Sequence, residues 1–440
     1  MAELKELARQ IFQETLAAID IPGTMARKLE RVGNTLRCTS HEINLREFPR
    51  VQIIAMGKAA HGMADGLLQL LPEGIGSLSG IVSAPTAPTN PVTGLKYFMA
   101  GHPIPNAESL QAGAAILELL QEADAGTVVF FLLSGGASAL VEMPLDERNT
   151  LAEVQQTYRA LVTCGASIDE INTVRKHLSA VKGGRLAAAA GDAMKITLAV
   201  SDVPVGKESA LASGPTLPDP TTIQDAERVI EKYSLLKNFP AIVKEWLSAE
   251  KMPETPKEEH VSFAKAHFEL MLGMDDLFHP AHYASEALGF ETCCDNSTDD
   301  WPVEKAAANL LEQLEELCRG NPGHPVALIA DGEVSSPVTG NGTGGRNSAF
   351  VLACVEKIAG RDIAVLSAGT DGIDGNSPAA GAVADGRTLE RGRASSLSAD
   401  EAFRNSDAYT YFEKLGDAVI TGATGNNLRD LRILLAHNRK

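Results

Sequence analysis

The stretch Thr127-Val-Val-Phe-Phe-Leu-Leu-Ser134-Gly135-Gly136-Ala137-Ser138 carries the strongest strand pattern in the chain and indicates the fold class. Its apolar and β-branched run, 127–133, predicts a buried strand, and the glycine pair predicts a turn into a helix. Such a unit gathers backbone amides and the positive end of a helix at the carboxyl end of the strand, where anions bind. The candidate phosphate- or substrate-binding residues here are Ser134, Gly135, Gly136 and Ser138.

A similar unit lies earlier in the chain, where the apolar run 51–56 is followed by Gly57, Lys58 and a helical pattern over about 59–71. Open α/β sheets bind ligands outside the carboxyl ends of their strands, so Lys58 is a candidate catalytic residue. The alternative is a solvated lysine at the start of a helix.

Two common motifs, the Walker A loop and the nucleophile elbow, are excluded because each lacks a required glycine. A Walker A loop needs a glycine five positions before its Gly-Lys pair, and Gln52 and Ser201 stand at that position before the two such pairs. A nucleophile elbow needs a glycine two positions before its serine, and Leu132 stands there before Ser134.

A third stretch, Ala330 to Asn347, reads ADGEVSSPVTGNGTGGRN between a strand pattern and a helix pattern. Glycines let backbone amides approach a ligand, and an arginine at a helix start offers a planar fork suited to phosphate. A mobile hairpin loop is the alternative. The candidate catalytic residues here are Glu333 and Arg346, and the candidate phosphate-binding residues are Gly342, Gly344, Gly345 and Asn347.

Cations cluster in the segment 171–185, within an otherwise acidic protein. A solvated helix face is the common explanation for such a run. Here a glycine pair interrupts the pattern beside the cations, so Arg175 and Lys182 are taken as candidate substrate- or phosphate-binding residues.

Acidic residues end several predicted strands. Asp202 ends the strand pattern 195–203, and Asp371 follows Thr370 in a glycine-rich turn. Carboxylates in such places suit Mg²⁺ or proton transfer, although acidic turns are also common without any ligand. The candidate metal ligands are Asp202, Glu333 and Asp371; Asp202 is also a candidate catalytic residue, and Thr370 a candidate substrate-binding residue.

The composition limits the classes of function. A chain of 440 residues predicts two domains, and its net charge of −18 argues against nucleic acid or an anionic membrane as a partner. Six cysteines without a C-x-x-C pair predict a reduced, cytoplasmic protein without a zinc site. The N-terminal segment predicts an amphipathic helix and lacks the pattern of a signal peptide, and no apolar run reaches transmembrane length.

The order of elements, mainly strand followed by helix, predicts α/β domains with parallel sheets whose polar edges face each other across a cleft that holds the active site. The charged, proline-containing segment 251–260 predicts a linker between an N-terminal domain, 1–250, and a C-terminal domain, 261–440. The assignment of 261–319 stays open. The chain is expected to finish with a helix after Asn427.

The chain resembles the glycerate 2-kinase family, whose members carry a C-terminal MOFRL domain. The resemblance rests on ordered segments: MGKAA (56–60), GHPIPN, SGGASAL, NTVRKHLSAVKGGRLA, SDVPVG, ASGPTLPD, GEVSSPVTGNGTGGRN, GTDGIDG and TGATGNNLRDL (421–431). It implies a Rossmann-like N-terminal domain with a mainly parallel sheet and a MOFRL-type C-terminal domain.

The resemblance further implies Mg²⁺-dependent transfer of the γ-phosphoryl group of ATP to the 2-hydroxyl of D-glycerate. Lys58 and Arg346 would be the leading catalytic residues, with Asp202, Glu333 and Asp371 at the acidic positions. The chain departs from the family pattern in three places, which bear on the substrate and the metal: Ala330-Asp331, Ser348-Ala349 and Ser377-Pro378.

Two other classes remain open on the sequence. One is an NAD(P)H-dependent hydroxypyruvate reductase, because Gly340, Gly342 and Gly345 formally fit G-x-G-x-x-G. The other is a non-catalytic sugar-acid binding protein. The sequence also leaves open the preferred hydroxy acid, nucleotide and metal, and the oligomeric state, a homodimer included.

Overall fold

The structure is a computed structural model that describes residues 2–39, 41–201, 203, 206–249, 252–426 and 428–438. Its strands, in chain order, are β1 (Glu30–Val32), β2 (Thr35–Arg37), β3 (Glu42–Asn44), β4 (Arg50–Met56), β5 (Ser77–Ala84), β6 (Leu95–Met99), β7 (Thr127–Leu133), β8 (Met194–Val200), β9 (Ala266–Leu272), β10 (Glu291–Asp295), β11 (Val326–Asp331), β12 (Ile363–Gly369), β13 (Gly381–Asp385), β14 (Ala418–Val419) and β15 (Asp430–Ala436).

The α-helices are α1 (Ala2–Ala18), α2 (Ile21–Lys28), α3 (Ala60–Leu70), α4 (Ala107–Gln121), α5 (Ala137–Leu140), α6 (Leu151–Thr163), α7 (Ile168–Leu178), α8 (Arg185–Ala189), α9 (Ile223–Lys232), α10 (Ala241–Ser248), α11 (Asp275–Ala287), α12 (Val303–Gly320), α13 (Arg346–Val355), α14 (Thr388–Ala394), α15 (Ala399–Arg404) and α16 (Ala408–Leu415). Short 3-10 turns lie at Leu45–Glu47, Glu208–Ser213, Leu235–Lys237 and Val261–Phe263.

The first of two compact units, Ile21–Gly273, is built on a parallel sheet with the strand order β6-β5-β4-β7-β8-β9. The run 127–133 forms β7, and all of its residues are buried, as strands covered by helices on both faces must be. The strand order reverses between β4 and β7, which makes their carboxyl ends the topological switch point of the sheet. This confirms the Rossmann-like fold expected for the N-terminal part.

The second unit joins Met1–Asp20 to Met274–Lys440. Its sheet has the order β10-β11-β15-β12-β13-β14, and only the β10–β11 pair is parallel. The expectation of a parallel sheet is therefore wrong for this unit. The expectation of a closing helix is wrong as well, because residues 430–436 form β15, the antiparallel strand between β11 and β12, and every one of them is buried.

The units differ from the domain limits expected on the sequence. The helix α1 packs with α11, β12, β13 and β15, and its apolar face, which includes Leu4, Ala8 and Ile11, is fully buried there. The strand β9 pairs with β8 and so belongs to the first unit. The block 261–319, left open on the sequence, is accordingly divided after residue 273.

The described part of the expected linker, 252–260, is packed against the first unit. The side chain of Thr255 is buried, and the carboxylate of Glu254 accepts hydrogen bonds from the backbone amide of Ile223 and, at 3.1 Å, lies beside Nε2 of His177. Prolines and charges in this segment thus fix a packed loop, and they do not mark the boundary between the units. Among the described residues, no helix is both long and apolar enough to cross a membrane.

Candidate active site

The loops that follow β4 and β7 meet at the switch point of the first unit. The backbone amide of Lys58 donates to the carbonyl of Gly135 at 3.0 Å, and the amide of Ala59 donates to Oγ of Ser134 at 3.0 Å. Gly57 has φ +131°, and a Cβ on it would lie 2.0 Å from Oγ of Ser134. Only glycine permits this approach, so the Gly57–Lys58 turn is locked onto the turn after β7.

Lys58 lies over the glycine turn that follows β7. Gly136 has φ +84°, and a Cβ on it would come within 3.5 Å of Cγ of Lys58 and 3.0 Å of Cδ2 of His102. The structure thus brings together Lys58, Ser134, Gly135 and Gly136, which the sequence analysis selected separately. His102, from the turn after β6, is an addition that the sequence analysis did not select.

Ser138 is linked to a neighbouring loop. Its Oγ lies 2.8 Å from Oγ of Ser213, which in turn donates to Oδ1 of Asn172 at 3.0 Å. The carbonyl of Ser138 accepts a hydrogen bond from the hydroxyl of Tyr158. The hydroxyl of Ser138 is therefore part of an internal network that fixes the glycine turn.

Lys182, a candidate phosphate-binding residue, is buried and paired with an internal carboxylate. Its side chain is buried, and Nζ donates to Oε2 of Glu142 at 2.8 Å and to the carbonyl of Val141 at 3.1 Å. Burial lowers the pKa of Lys182, which Glu142 raises in part; despite burial, Lys182 holds the pKa of Glu142 below its usual range. The charge of Lys182 is compensated inside the unit.

Arg175, the other cation selected from this segment, stacks on an aromatic ring. The centre of its guanidinium lies 4.5 Å from the ring centroid of Tyr158, and Nε is buried without a hydrogen-bond partner in the described structure. It lines a cavity beside α6 and α7.

The polar edge of the second unit exists because β15 runs antiparallel between β11 and β12. Asp331 at the end of β11 pairs with Leu431, and Gly369 at the end of β12 pairs with Asp430. The start of β15 therefore lies at the same sheet edge as the ends of its two neighbours. This register places Arg429 and Asp430 beside the acidic loop after β11.

Arg346, the first residue of α13, is held in this edge by two carboxylates. Its Nε and Nη2 donate to Oδ2 and Oδ1 of Asp430 at 2.5 and 3.2 Å, and Nη1 donates to Oε2 of Glu333 at 2.7 Å. Burial opposes the charge, but Asp430 and Glu333 raise the pKa of Arg346 above its ordinary value. The Asp430 side chain is 4% exposed and that of Glu333 is 44% exposed, so one partner is fixed and the other is open to solvent.

The backbone amides of the glycine loop before Arg346 are used within the unit. The amide of Gly344 donates to the side chain of Asn376, that of Gly345 to Oγ of Ser348, and that of Asn347 to Oδ1 of Asp374. The buried carboxylate of Asp374 also accepts from the amide and the hydroxyl of Ser348, and so caps α13.

The loop glycines also meet a neighbouring segment closely. Cβ atoms on Gly340 and Gly342 would come within 2.4 Å of Asn405 and Asp407, and the amide of Gly342 donates to the carbonyl of Asn405. The carbonyl of Asn347's own side chain accepts from the hydroxyl of Ser367. The predicted phosphate loop is thus a packed loop whose amides have internal partners, and its outward cationic group is Arg346.

A second arginine–acid cluster lies next to the first. Arg429 donates to Oδ2 of Asp299, and its Nη1 lies 3.5 Å from Oδ2 of Asp331. Asp299 also accepts the backbone amide of Glu333 at 2.8 Å, which ties the loop after β11 in place. Both oxygens of the Asp331 carboxylate are buried without a hydrogen bond in the described structure. Burial raises the pKa of Asp331 to about 6, against the opposing effect of Arg429.

The carboxylates at this edge suit a metal ion that takes most of its ligands from a bound phosphate compound. No three His, Cys, Asp or Glu side chains among the described residues are arranged to hold a metal. A Cβ on Gly369 would be faced by Oδ1 of Asp371 at 3.0 Å, the carbonyl of Ile373 at 3.1 Å and Oδ1 of Asp430 at 3.4 Å. Mg²⁺ commonly takes one or two protein carboxylates together with substrate phosphates, so this oxygen-lined space fits such an ion.

The remaining candidates are placed as follows. Thr370 is buried, and its Oγ accepts from the amide of Leu428 while its carbonyl accepts from the hydroxyl of Thr424. Asp202, expected as a catalytic residue and a metal ligand, lies outside the described residues.

Comparison with known proteins gives matches along most of the chain. Residues 7–248 match the family model described as "Domain of unknown function (DUF4147)", and residues 326–430 match the MOFRL family. A relative from Thermotoga maritima named D-glycerate 2-kinase is 35% identical, with 98% of each chain covered. The chain belongs to the glycerate 2-kinase family with a C-terminal MOFRL domain.

Other family relatives agree on the fold and carry two kinds of name. The crystal structure of a glycerate kinase from Thermotoga maritima matches with a TM-score of 0.83 and 33% identity, covering 99% of this chain and all of that one. A protein of Agrobacterium vitis, provisionally named hydroxypyruvate reductase, is 34% identical, with 89% of each chain covered.

Four charged residues of the second unit were missed in the sequence analysis: Asp299, Arg429, Asp430 and Arg432. Arg432 is fully buried and donates to the carbonyls of Asp331 and Gly332, so it fixes the acidic loop. The available signal was the alternation of charged Asp430 and Arg432 with apolar residues, which is the period of a strand. The sequence analysis did not use it because it expected a helix there.

We predict that Lys182→Met destabilises the first unit by about 3–5 kcal/mol, because it leaves Glu142 buried without its counter-ion. The double variant Lys182→Met/Glu142→Gln should recover part of this loss. Urea unfolding followed by Trp246 fluorescence in a Trp301→Phe background measures the effect. Lys232→Met, which removes an exposed partner of Glu170, serves as the control and should change stability by less than about 1 kcal/mol. Equal, small effects of both variants would contradict a structural role for Lys182.

We predict that Asp331→Asn stabilises the protein at pH 8 and has little effect at pH 4. The raised pKa means that the folded state binds the proton more tightly than the unfolded state, whose pKa is near 3.8. The carboxyl group therefore favours folding below that value, and this contribution is lost as the pH rises through about 6. The gain at pH 8 should reach at most about 3 kcal/mol.

Urea unfolding of wild type and variant at pH 4, 6 and 8 tests this prediction. Asp400→Asn, which alters an exposed carboxylate paired with Arg404, is the control and should show no such dependence. A loss of stability at pH 8 would mean that the attraction of Arg429 outweighs the burial of Asp331.

Proposed function

We propose that the protein is a glycerate 2-kinase that transfers the γ-phosphoryl group of ATP to the 2-hydroxyl of D-glycerate, with Mg²⁺ bound to the nucleotide. The observation that carries this proposal is the Arg346 fork, a guanidinium fixed by a buried carboxylate at a sheet edge. Phosphoryl transfer depends on positioned cations more than on covalent chemistry, so a fixed fork of this kind suits it. The names of the relatives support the same substrate.

Arg346 would recognise phosphate by exchanging one carboxylate for another anion. Of the five N–H groups of a guanidinium, three are used in the bonds to Asp430 and Glu333. Asp430 is buried and stays in place, whereas the Glu333 side chain is 44% exposed. A phosphate oxygen would take the place of Glu333 on Nη1, while Asp430 keeps the plane of the fork unchanged.

The proton and the bonds then balance as follows. The 2-hydroxyl oxygen forms a bond to the γ-phosphorus, and the bond to the oxygen that bridges the β- and γ-phosphorus breaks, which leaves ADP. The hydroxyl proton passes to a carboxylate, for which Glu333, released from Arg346, and Asp202 are the candidates. Lys58 would hold charge on the phosphate chain from the turn after β4. Mg²⁺, when bound, would neutralise phosphate charge, and Asp371 would be its protein ligand.

The reductase alternative has weaker support in the geometry. The glycines of the G-x-G-x-x-G pattern are needed for contact with Asn405, Asp407 and Asp374, where a Cβ would come within about 2.4 Å. In a dinucleotide-binding turn, the glycines make room for the pyrophosphate. We further propose a reducing, cytoplasmic setting, which the six free cysteines support.

One assay tests the proposal. The purified protein is given ATP, Mg²⁺ and D-glycerate, and the product is identified by ³¹P NMR; a parallel reaction contains hydroxypyruvate and NADH. We expect 2-phosphoglycerate and ADP in the first reaction and no NADH oxidation in the second. NADH oxidation without phosphoryl transfer would establish the reductase instead.

We predict that Lys58→Ala lowers turnover by about 100-fold or more without loss of folding, because a charge contact to the transferred group disappears while the backbone turn stays locked by Gly57. The rate of 2-phosphoglycerate formation and the circular dichroism spectrum measure the two effects. Lys232→Ala is the control lysine in the same unit and should leave the rate unchanged. A normal rate in folded Lys58→Ala would remove this residue from the mechanism.

We predict that Arg346→Lys lowers kcat by about tenfold or more while changing KM for ATP less. An ammonium is a point charge and cannot keep two bonds to Asp430 while it also binds phosphate, so the transition state loses more than the ground state. Steady-state kinetics with varied ATP measures both constants. Arg361→Lys, which alters an exposed pair with Glu315, is the matched control. A raised KM with unchanged kcat would mean that Arg346 acts only in ground-state binding.

A further inference from the structure

The cavity beside α6 and α7 in the first unit contains an arginine whose charge has no carboxylate partner. Arg175 lines it and makes no hydrogen bond or ion pair with the described residues; its one close polar contact is the stacking on Tyr158. Arg175 is partly buried, and its Nε is shielded from solvent, so the hydration lost there is not compensated by an anion.

The other charges at the cavity have their own partners. Glu142 accepts from Lys182 and Ser179, and its Oε2 also lies beside the hydroxyl of Tyr158. Asp146 forms two bonds with Arg148, from Nε at 3.0 Å and from Nη2 at 2.7 Å. Each lining carboxylate is thus matched by a cation other than Arg175.

Charges around the cavity rim do not compensate the positive charge of Arg175. Lys182 lies close enough to Arg175 for their positive charges to repel each other. Burial is the main cause of the lowered pKa of Lys182, and the charge of Arg175 lowers it further. Glu245, on α10, lies 3.5 Å from Arg148 and its side chain is 67% exposed. The electrostatic need at Arg175 is therefore for one negative charge.

The remaining wall of the cavity is apolar. It is formed by Val154, Leu161, Leu178, Val243 and Trp246. Hydroxyl groups placed against these side chains would lose their hydrogen bonds with water, which disfavours a polyhydroxy acid such as glycerate. The centres of water-sized groups can occupy about 40 Å³ here, so the cavity accepts only a small molecule.

We propose that this cavity binds a small monocarboxylate with an apolar tail of about three or four carbons, its carboxylate paired with Arg175. A carboxylate matches the planar fork of a guanidinium, and the tail contacts the apolar wall. The site is separate from the glycine turn after β7, over which Lys58 lies. It is connected to that turn through Tyr158, whose hydroxyl donates to the carbonyl of Ser138 at 2.8 Å.

Isothermal titration with butyrate tests the proposal on the full chain, with butyramide as the neutral compound of the same shape and sodium chloride at equal ionic strength. We expect butyrate to bind with one site per chain, and butyramide to bind at least tenfold more weakly. Arg175→Gln should weaken butyrate binding at least tenfold. Arg159→Gln, an exposed arginine on α6, is the control and should bind as wild type does.

Circular dichroism checks that Arg175→Gln is folded, and a second variant keeps the test decisive if it is not. Val243→Phe fills the cavity and leaves Arg175 in place, and it should also abolish binding. Equal binding of butyrate and butyramide, unchanged binding in a folded Arg175→Gln or Val243→Phe variant, or no heat above the salt control would each overturn the proposal. None of these outcomes depends on glycerate turnover.

Discussion

The position of β15 determines the chemistry of the second unit. An antiparallel strand inserted between β11 and β12 must begin where they end, so the residues at its start join the loops at their carboxyl ends. Arg429 and Asp430 reach the acidic loop in this way, and Asp430 then fixes Arg346 with two hydrogen bonds. A parallel strand in the same place would have put these charges at the opposite edge, and Arg346 would have no buried counter-ion.

For ligand binding, this means that backbone groups fix the loops while side-chain cations contact the ligand. At the switch point of the first unit, the turns after β4 and β7 are joined by their own hydrogen bonds, and Lys58 projects from the joined turns. In the second unit, the loop amides and the helix start are already used by Ser348, Asp374 and Asn376. Recognition of an anion then falls to side-chain cations whose geometry these internal bonds fix. In this arrangement, exchanging arginine for lysine keeps the positive charge but removes the directed pair of hydrogen bonds.

The sequence predicted the first unit better than the second, for a physical reason. Parallel strands covered on both faces read as unbroken apolar runs, and ligand groups follow them directly in the chain, so Lys58 and Ser134 could be selected from local patterns. The run 430–436 is also apolar but contains Asp430 and Arg432, and at this length periodicity does not separate a strand from a helix. The partners of Arg346 and Arg429 lie far away in sequence, and no local pattern could reveal them. The internal pairing of Lys182 was hidden for the same reason, because its counter-ion Glu142 precedes it by 40 residues.

The net charge of −18 sets a condition on any anionic substrate of this protein. At physiological ionic strength, charges farther than about 8 Å from a ligand are largely screened, so the overall repulsion of ATP is weak once the ligand is close. What matters is the local set of cations. In the second unit, Arg346 and Arg429 are already paired with carboxylates, and the buried Arg432 donates to backbone carbonyls. A phosphate must therefore compete with an internal acid, and it gains only where that acid is exposed, since a hydrated carboxylate is released at little cost while a buried one is not. Glu333 meets this condition and Asp430 does not. The two ion pairs of Arg346 thus determine where an anion can bind. It can replace Glu333 on Nη1, but it cannot replace Asp430 on Nε and Nη2.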